Sequence, residues 1–566
     1  MYAKQWRGCL SKAGKDGGHR PRSRRHERNP FKFLNLSILL QKTSVRWASS
    51  ALSGLLLVAC FPKLNWHLLV WIACLPLLAA IVSETRPVRA FGLAYLSGAI
   101  FLTGSCYWFV GVMETYGRLS PALAFGVLAL FVLVFSFFFG VFGLAEGWVA
   151  RVSQGAALML GPFLWVSMEL ARTYLITGFP WNLLGYGVQA TGLRQLASAT
   201  GVYGLSFLAV STSALLAWMA LVPWQKWMRT LLLLWVALLA VANRIMTPPI
   251  LPPGASLAFL VQPNVPLEES ALEGWVPWRD PTRLNQLVGM TLAAVNGGSV
   301  PVSSSSGTGK ANSSVAAPPL VIWAENPAPF YFVRDPVFTH AVVEIARKAQ
   351  AYVIVNTVIP VGQDNTQVTN SAVVLDPGGR LLLQYDKIHL VPFGEYVPAW
   401  AFPGKIGKIT SEVGNFVPGS GYLVAQTPEG AIGVFICYED IFPQLVRRLT
   451  LARAGVLVNI SNDAWYDDTA ASFQHLEMAR LRAIENRRYL LRATNDGITA
   501  LIDPYGRVVK QIPRHQAAVL PARFSYLSKQ TFYTAHGDVF AWLCVGVAMA
   551  LTAGAVVRGR RKAALL

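Results

Sequence analysis

Eight apolar stretches limit what this chain can become more than any other feature of its sequence. They run over residues 47–62, 66–83, 90–113, 121–150, 156–177, 196–222, 228–246 and 537–557, with short polar breaks between the first seven. A helix of about 20 apolar residues crosses the ~30 Å of a bilayer's hydrocarbon core. Most of the eight reach that length, and the first two are marginal. A backbone in lipid must satisfy its own hydrogen bonds, which leaves helices as the expected form. A hydrophobic share of 53%, a charged share of 14% and a mean hydropathy of +0.41 are too apolar for one soluble domain.

The formal charge of +20 sits where a membrane protein places it. About a dozen Lys and Arg precede Trp47, and Arg558–Lys562 closes the chain with "RGRRK". Arg86 and Arg89, Arg151, and Lys226 and Arg229 occupy alternate breaks between spans. The positive-inside rule then puts both termini in the cytoplasm, consistent with an even number of spans. Nucleic-acid binding would require a basic face with interleaved aromatics on a soluble fold, which the sequence lacks. Residues 1–46 read as a disordered cytoplasmic leader. They do not read as a cleaved signal peptide, because no compact apolar core with a small-residue cleavage site follows directly.

Residues 247–536 read differently and are expected outside the cytoplasm. "SLAFLVQPN", "LVIWAEN", "AYVIVNTVIP", "NSAVVLDPGG", "RLLLQYDKI", "AIGVFICYED", "GVLVNISND" and "GITALIDPYGRVV" are β-branched runs bounded by Pro, Gly, Asn and Asp. Helical patterns such as "VFTHAVVEIARKAQ" and "FQHLEMARLRAIENRR" lie between them, and "DPGGR" and "DPYGR" read as hairpin turns. The pattern predicts a mixed α/β domain with buried sheets. Asn296 to Pro319 is a Ser/Gly-rich insertion, expected as a surface loop. A last span over 537–557 and a basic tail over 558–566 complete the expected organisation.

Of six cysteines, four fall in apolar spans and Cys9 in the leader, so Cys437 is alone in the α/β block and can form no disulfide there. It ends a strand-like run and enters "CYEDIFPQLV", which turns helical. A thiol at a helix N-terminus is favoured as thiolate. A Cys after an apolar strand is equally at home as a small buried hydrophobe. Glu325 in "VIWAENPAP" ends another apolar run, where a carboxylate needs a task or a partner. "YDKIHLVPFGEYVP" carries Lys387, His389 and Glu395 on a loop, where a lysine or glutamate alone would pass as a surface charge.

Together, Glu, Lys and Cys at strand ends form the constellation of the nitrilase superfamily. From about Trp47 onward the chain resembles the bacterial apolipoprotein N-acyltransferases. The matching segments are "WAE", "YDKIHLVPFGEYVP", "FICYEDIFP", "VNISNDAWY", "QHLEMARLRAIENRRYLLRATNDGIT" and, in the apolar part, "SMELARTYLITGFPWNLLGYG". The resemblance implies an α-helical membrane domain of about eight transmembrane helices plus an α/β nitrilase-like (α-β-β-α sandwich) periplasmic domain. It implies a monomer in the bacterial inner membrane that needs no cofactor and no metal.

Its implied reaction moves an acyl chain from a membrane phospholipid, through a thioester on Cys437, to the α-amino group of an apolipoprotein's N-terminal S-diacylglyceryl-cysteine. Glu325 would be the general base and Lys387 the oxyanion stabiliser, with Glu395 positioning them and Tyr438 and Glu439 shaping the nucleophile turn. Trp465, Tyr466 and Trp278 (preferred to Trp275) would line the lipid entrance, and Phe393, Trp400 and Phe402 are candidates for a lid. Glu169 and Arg172 lie three apart on one helix face. They would either meet a phospholipid headgroup or the soluble domain, or form an ion pair that fixes helix packing. "GFPWNLLGYG" (Gly178 to Gly187) is expected as a re-entrant or interfacial loop facing the site. Two rival readings are a membrane-anchored amidase or nitrile hydrolase using the same three residues, and a transporter or structural membrane protein whose soluble part only binds.

Overall fold

The computed structural model describes residues 36–115, 117, 119–221, 226–265, 281–297, 317–325, 331–362, 367–392, 394–396 and 416–564. The apolar part is helical: α1 (Thr43–Ala59), α2 (Leu75–Val82), α3 (Pro87–Cys106), α4 (Trp108–Thr115), α5 (Pro121–Ala150), α6 (Gln154–Tyr174), α7 (Val202–Leu221) and α8 (Lys226–Met246). Proline opens α3 and α5, where its missing N–H costs nothing and its fixed φ suits the first turn. Among the described residues, α3, α5, α7, residues 229–246 of α8 and residues 539–558 near the C-terminus are long and apolar enough to cross a membrane.

The other three expected spans take other forms. Residues 47–62 lie mostly in the 17-residue α1. Residues 66–83 divide between a 3-10 turn (His67–Trp71) and the eight-residue α2. Residues 156–177 fall largely in the 21-residue α6, made more polar by Glu169 and Arg172 and carrying Pro162 inside it. The expected span 90–113 is broken at Tyr107, between α3 and α4. Helices α3 and α5 pack at small residues: a Cβ at Gly143 would lie 2.5 Å from the Ala90 carbonyl oxygen, so only glycine permits this approach.

The α/β part holds two six-stranded sheets. Strands β1 (Ser256–Gln262), β2 (Leu320–Trp323), β3 (Tyr352–Val361), β4 (Gln367–Leu375), β5 (Leu381–Asp386) and β12 (Ala518–Phe524) form one, ordered β12-β1-β2-β3-β4-β5. Strands β6 (Val424–Thr427), β7 (Gly430–Ile436), β8 (Ala454–Ser461), β9 (Leu490–Thr494), β10 (Thr499–Ile502) and β11 (Val508–Ile512) form the other in reverse order. The central pairs β1–β2–β3 and β7–β8–β9 are parallel, and the flanking pairs are antiparallel.

Alternation along the strands divides the core. In the first sheet Val261, Val321, Trp323, Val353 and Val355 pack outward under α9 (Thr282–Gly297) and α10 (Pro336–Ala349). Leu260, Leu320, Ile322, Ile354 and Val374 face the other way, into a core shared with Ile432, Val434 and Val458 of the second sheet. Helices α11 (Pro443–Leu451) and α12 (Ala471–Asn486) cover the second sheet's other face, giving helix–sheet–sheet–helix layers. Both hairpins expected at "DPGGR" and "DPYGR" form, each tightened by its Asp: Asp376 accepts from the Gly378 and Arg380 amides, and Asp503 from those of Tyr505 and Arg507. The chain ends in α13 (Val539–Ala564), which packs on α6 and α5.

Candidate active site

Three strand ends deliver the functional groups. Cys437 follows β7, Lys387 follows β5, and Glu325 stands two residues beyond β2. All three are buried. The Lys387 ammonium lies 2.9 Å from Glu395 Oε1 and 3.7 Å from Glu325 Oε1. The Cys437 thiol is close enough to both Glu325 and Lys387 for their charges to act on it. The structure thus brings together Glu325, Lys387, Glu395 and Cys437 from three separate segments, Lys387 and Glu395 sharing the loop after β5.

Asn370, on β4, organises the carboxylates and was not singled out from the sequence. Its side-chain amide donates to Glu325 Oε1 at 3.0 Å and to Glu395 Oε1 at 2.9 Å, using both N–H bonds. Asn356 on β3 donates to Asn370 Oδ1 at 2.8 Å and so fixes which way the amide points. Asn370's own carbonyl accepts the Lys387 backbone N–H at 2.8 Å. Glu395 Oε2 closes the loop by accepting from the Val391 N–H. Glu325 Oε2, among the described residues, is buried without a hydrogen-bond partner and is free to take a proton.

The electrostatics follow from burial. Burial raises Glu325 above the usual carboxylate range, and Lys387 offsets this only in part. Burial works against charge on Lys387, but Glu395 and Glu325 outweigh it and hold the ammonium above its ordinary value. Burial, reinforced by the Glu325 carboxylate, pushes the Cys437 thiol well up. This corrects the expectation of a thiolate favoured by a helix terminus. Residues Cys437–Ile441 form only a five-residue 3-10 turn, and burial overrides whatever its N–H groups contribute. The resting cysteine is a neutral thiol that needs a base. Its backbone has φ +51°, a left-handed conformation uncommon for a residue with a side chain, and costs of order 1–3 kcal/mol that the surrounding structure must hold.

Glu439 is that restraint. Its carboxylate accepts from the Ile436, Ile388 and His389 backbone N–H groups at 2.7, 2.7 and 3.1 Å, and from the Tyr385 hydroxyl at 3.0 Å. It therefore ties the nucleophile turn to the lysine loop. Burial pushes it up to about 7. Tyr438 is buried, 5.3 Å ring to ring from Phe442 and 6.0 Å from His389.

Beneath the turn lies a closed charge cluster that sequence reading also missed, because its members are scattered over four elements. Arg492 pairs with Asp440 and Asp463, each at 2.8 Å. His475 lies 2.8 Å from Asp440 and 2.9 Å from Asp463, and all four are fully buried. The two carboxylates hold His475 up at about 9, despite burial.

The remaining expected residues divide. Tyr466 is buried and packs edge-on against Trp108 and Trp181 of the membrane domain, while Trp465 is partly exposed beside it. Glu169 and Arg172 are buried, and their hydrogen bonds among the described residues lie within the membrane domain. Glu169 Oε1 accepts from Trp165 and from the Leu184 N–H, and Arg172 donates to the Trp181 carbonyl. Both therefore hold the 178–187 loop, which does face the site: the Trp181 ring stacks on His475 at 5.7 Å. Gly178, at φ +80°, begins that loop against Phe442, and any side chain there would strike the Thr173 carbonyl. Trp278, Trp275, Phe393, Trp400 and Phe402 lie outside the described residues.

A cysteine, a carboxylate and an ammonium at the ends of a two-sheet α/β sandwich define a carbon–nitrogen hydrolase domain, here joined to membrane-type helices. A family model described as "Carbon-nitrogen hydrolase" matches residues 292–525, and one described as "Apolipoprotein N-acyltransferase N-terminal domain" matches residues 53–215. The chain belongs to the apolipoprotein N-acyltransferase family. It is 34% identical over 520 residues to the apolipoprotein N-acyltransferase of Geobacter metallireducens, covering 89% of this chain and 94% of the relative. It is 31% identical over 529 residues to that of Methylococcus capsulatus, covering 90% and 95%. Among solved structures, an amidase of the nitrilase superfamily from Nesterenkonia is similar at 17% identity, over 51% of this chain and 97% of that one, with a TM-score of 0.35. The small-substrate amidase reading is not favoured by these relatives.

Proposed function

We propose that this protein transfers an acyl chain from a membrane phospholipid to the α-amino group of the N-terminal S-diacylglyceryl-cysteine of apolipoproteins, by a two-step reaction through Cys437. In the first step Glu325 Oε2 takes the thiol proton and the sulfur attacks the donor's ester carbonyl. Lys387, with a backbone N–H near Tyr438, stabilises the tetrahedral oxyanion. The ester C–O bond breaks, the lysophospholipid leaves with the proton from Glu325, and a thioester remains. In the second step a neutral amine attacks that thioester and the C–S bond breaks. Glu325 accepts the amine's proton and passes it to the leaving sulfur, which restores both the thiol and the carboxylate. Splitting the transfer in this way makes the kinetics ping-pong.

The observation that carries this reading is the buried Cys437 thiol set beside the Glu325 carboxylate and the Lys387 ammonium, in a domain that packs directly on membrane-type helices. The same reading has the protein in the inner membrane as a monomer, with residues 247–536 in the periplasm and both termini in the cytoplasm, an orientation that the basic residues in alternate breaks support. Glu395 positions Lys387, Tyr438 and Glu439 hold the nucleophile turn, and Trp465, Tyr466 and Trp278 border the lipid entrance. Mass spectrometry of the purified protein after incubation with phospholipid tests the reading. A hydroxylamine-sensitive acyl adduct on the Cys437 peptide is expected, absent in Cys437→Ala and slow to form in Glu325→Gln. No adduct with any phospholipid would overturn it.

A further inference from the structure

Helix α12 touches both halves of the molecule. One side carries His475 into the charge cluster beneath Cys437. The other side is hydrogen-bonded to the membrane domain along its length. Gln474 bonds Trp181, Glu477 pairs with Arg194 at 2.9 Å, and Glu485 accepts the Val202 N–H that opens α7. Positions 474, 477 and 485 recur at helical spacing and so share a face.

Gln474 is the densest of these contacts. It is 1% exposed. Its Oε1 accepts from the Trp181 indole N–H at 2.6 Å, and its Nε2 donates to the Pro62 carbonyl at 3.1 Å and the Ser105 carbonyl at 3.4 Å. Those three partners belong to three separate membrane-domain elements: the 178–187 loop, the segment after α1, and the end of α3. A buried amide is costly unless its groups are paired, and here one acceptor and both donors are used. The next residue, His475, is clamped by two carboxylates and stacked under the same Trp181 ring. A shift of Gln474 against the membrane helices therefore moves the element that underlies the nucleophile relative to the bilayer. It need not alter the grouping of Cys437, Glu325 and Lys387, which are held by β7, β2 and β5.

We infer that Gln474 is a positioning residue that keys the catalytic domain to the membrane domain and sets where Cys437 meets a membrane-held acyl donor. This deepens the proposed function and rests on its phospholipid donor. The inference separates two properties: acylation by a bilayer lipid depends on Gln474, whereas the intrinsic reactivity of the thiol does not. Gln474→Leu fills the same space and leaves the Trp181 N–H and two carbonyl oxygens unpaired. Gln474→Glu keeps the acceptor for Trp181 and sets carboxylate oxygen against two carbonyls. Trp181→Phe retains an aromatic ring beside His475 and removes the N–H together with part of the ring that packs on Trp108 and Tyr466.

The test uses the full-length detergent-solubilised protein and two readouts on the Cys437 peptide by mass spectrometry. One is acyl adduct formed from dioleoyl phosphatidylethanolamine micelles, and the other is alkylation by iodoacetamide. For Gln474→Leu and Gln474→Glu the expected result is a fall of about tenfold or more in acylation, with alkylation within about threefold of the wild type. Trp181→Phe and Gln474→Leu combined should lose less than the product of their separate effects, because they break one shared contact. Alkylation falling as far as acylation, acylation at the wild-type rate in Gln474→Leu, or fully multiplicative losses in the double variant would each overturn the inference. Wild-type protein that forms no acyl adduct would instead overturn the phospholipid-donor reading on which it rests.

Discussion

Replacing Asn370 with leucine isolates the group that sets the base. Its amide donates to both Glu325 and Glu395, at 3.0 and 2.9 Å. Leucine is of similar size, and the backbone bond from the Lys387 N–H to the residue 370 carbonyl does not involve the side chain. Hydrogen bonds to charged groups are worth about 1.5–3 kcal/mol each. Losing one at Glu325 disfavours its ionised form, which that bond helps to stabilise against burial. The Glu325 carboxyl should therefore titrate higher in the variant than in the wild type.

Because Glu325 must be ionised to take the thiol proton, the acidic limb of the acylation rate should move to higher pH. In the wild type the limb already lies above the ordinary carboxylate range, since burial raises Glu325. At neutral pH the rate should fall about tenfold to a hundredfold, as the base loses both ionisation and alignment. The assay is the rate of Cys437 acyl-enzyme formation from phospholipid, measured by rapid quench between about pH 5 and 9. A fall in rate with the acidic limb unmoved, or a wild-type profile, would refute the reasoning.

Glu439→Gln replaces a carboxylate that accepts four hydrogen bonds with an amide whose NH2 must face donors. A loss of about 1–3 kcal/mol in stability, read as a lower thermal midpoint, should accompany slower acylation, because the left-handed Cys437 turn loses its brace. His475 is raised to about 9 in the folded state from an ordinary 6.5. Its stabilising contribution is complete below about pH 6.5 and is lost as pH rises through about 9. The thermal midpoint of the wild type should therefore drop over that window, and His475→Gln should flatten the drop. An unchanged slope in the variant would show that other groups carry it.

Cys437 and Glu325 were legible because each ends an apolar run where a polar group has no local reason to be, whereas Lys387 on its loop was picked out only through the family resemblance. Asn370 was not: in "NSAVVL" a polar residue at a strand's edge looks like ordinary alternation, and its importance lies in two carboxylates that arrive from elsewhere. The cluster of Asp440, Asp463, His475 and Arg492 was hidden for the same reason, since its charges lie up to 52 residues apart. The resting state of Cys437 was misjudged from local order. A helix start suggests a thiolate, and the sequence gives no measure of how deeply folding buries the sulfur. Among the spans, the break at Tyr107 and the short α2 escaped notice because hydropathy reports which residues prefer lipid and not where a helix must turn to pack.

Order along the chain was sufficient to determine the division into apolar helices and an α/β domain and the two Asp-tightened hairpins, and it offered the cysteine, glutamate and lysine as candidates through the family resemblance. These are local properties: side-chain periodicity, turn chemistry, and a polar residue out of place. Only the tertiary structure decided the protonation of the thiol, the shared amide that couples two carboxylates, and the hydrogen bonds from α12 that seat one domain on the other. Each of those depends on groups distant in sequence meeting in a water-poor interior, where electrostatic interactions are strong and every unpaired polar atom is costly.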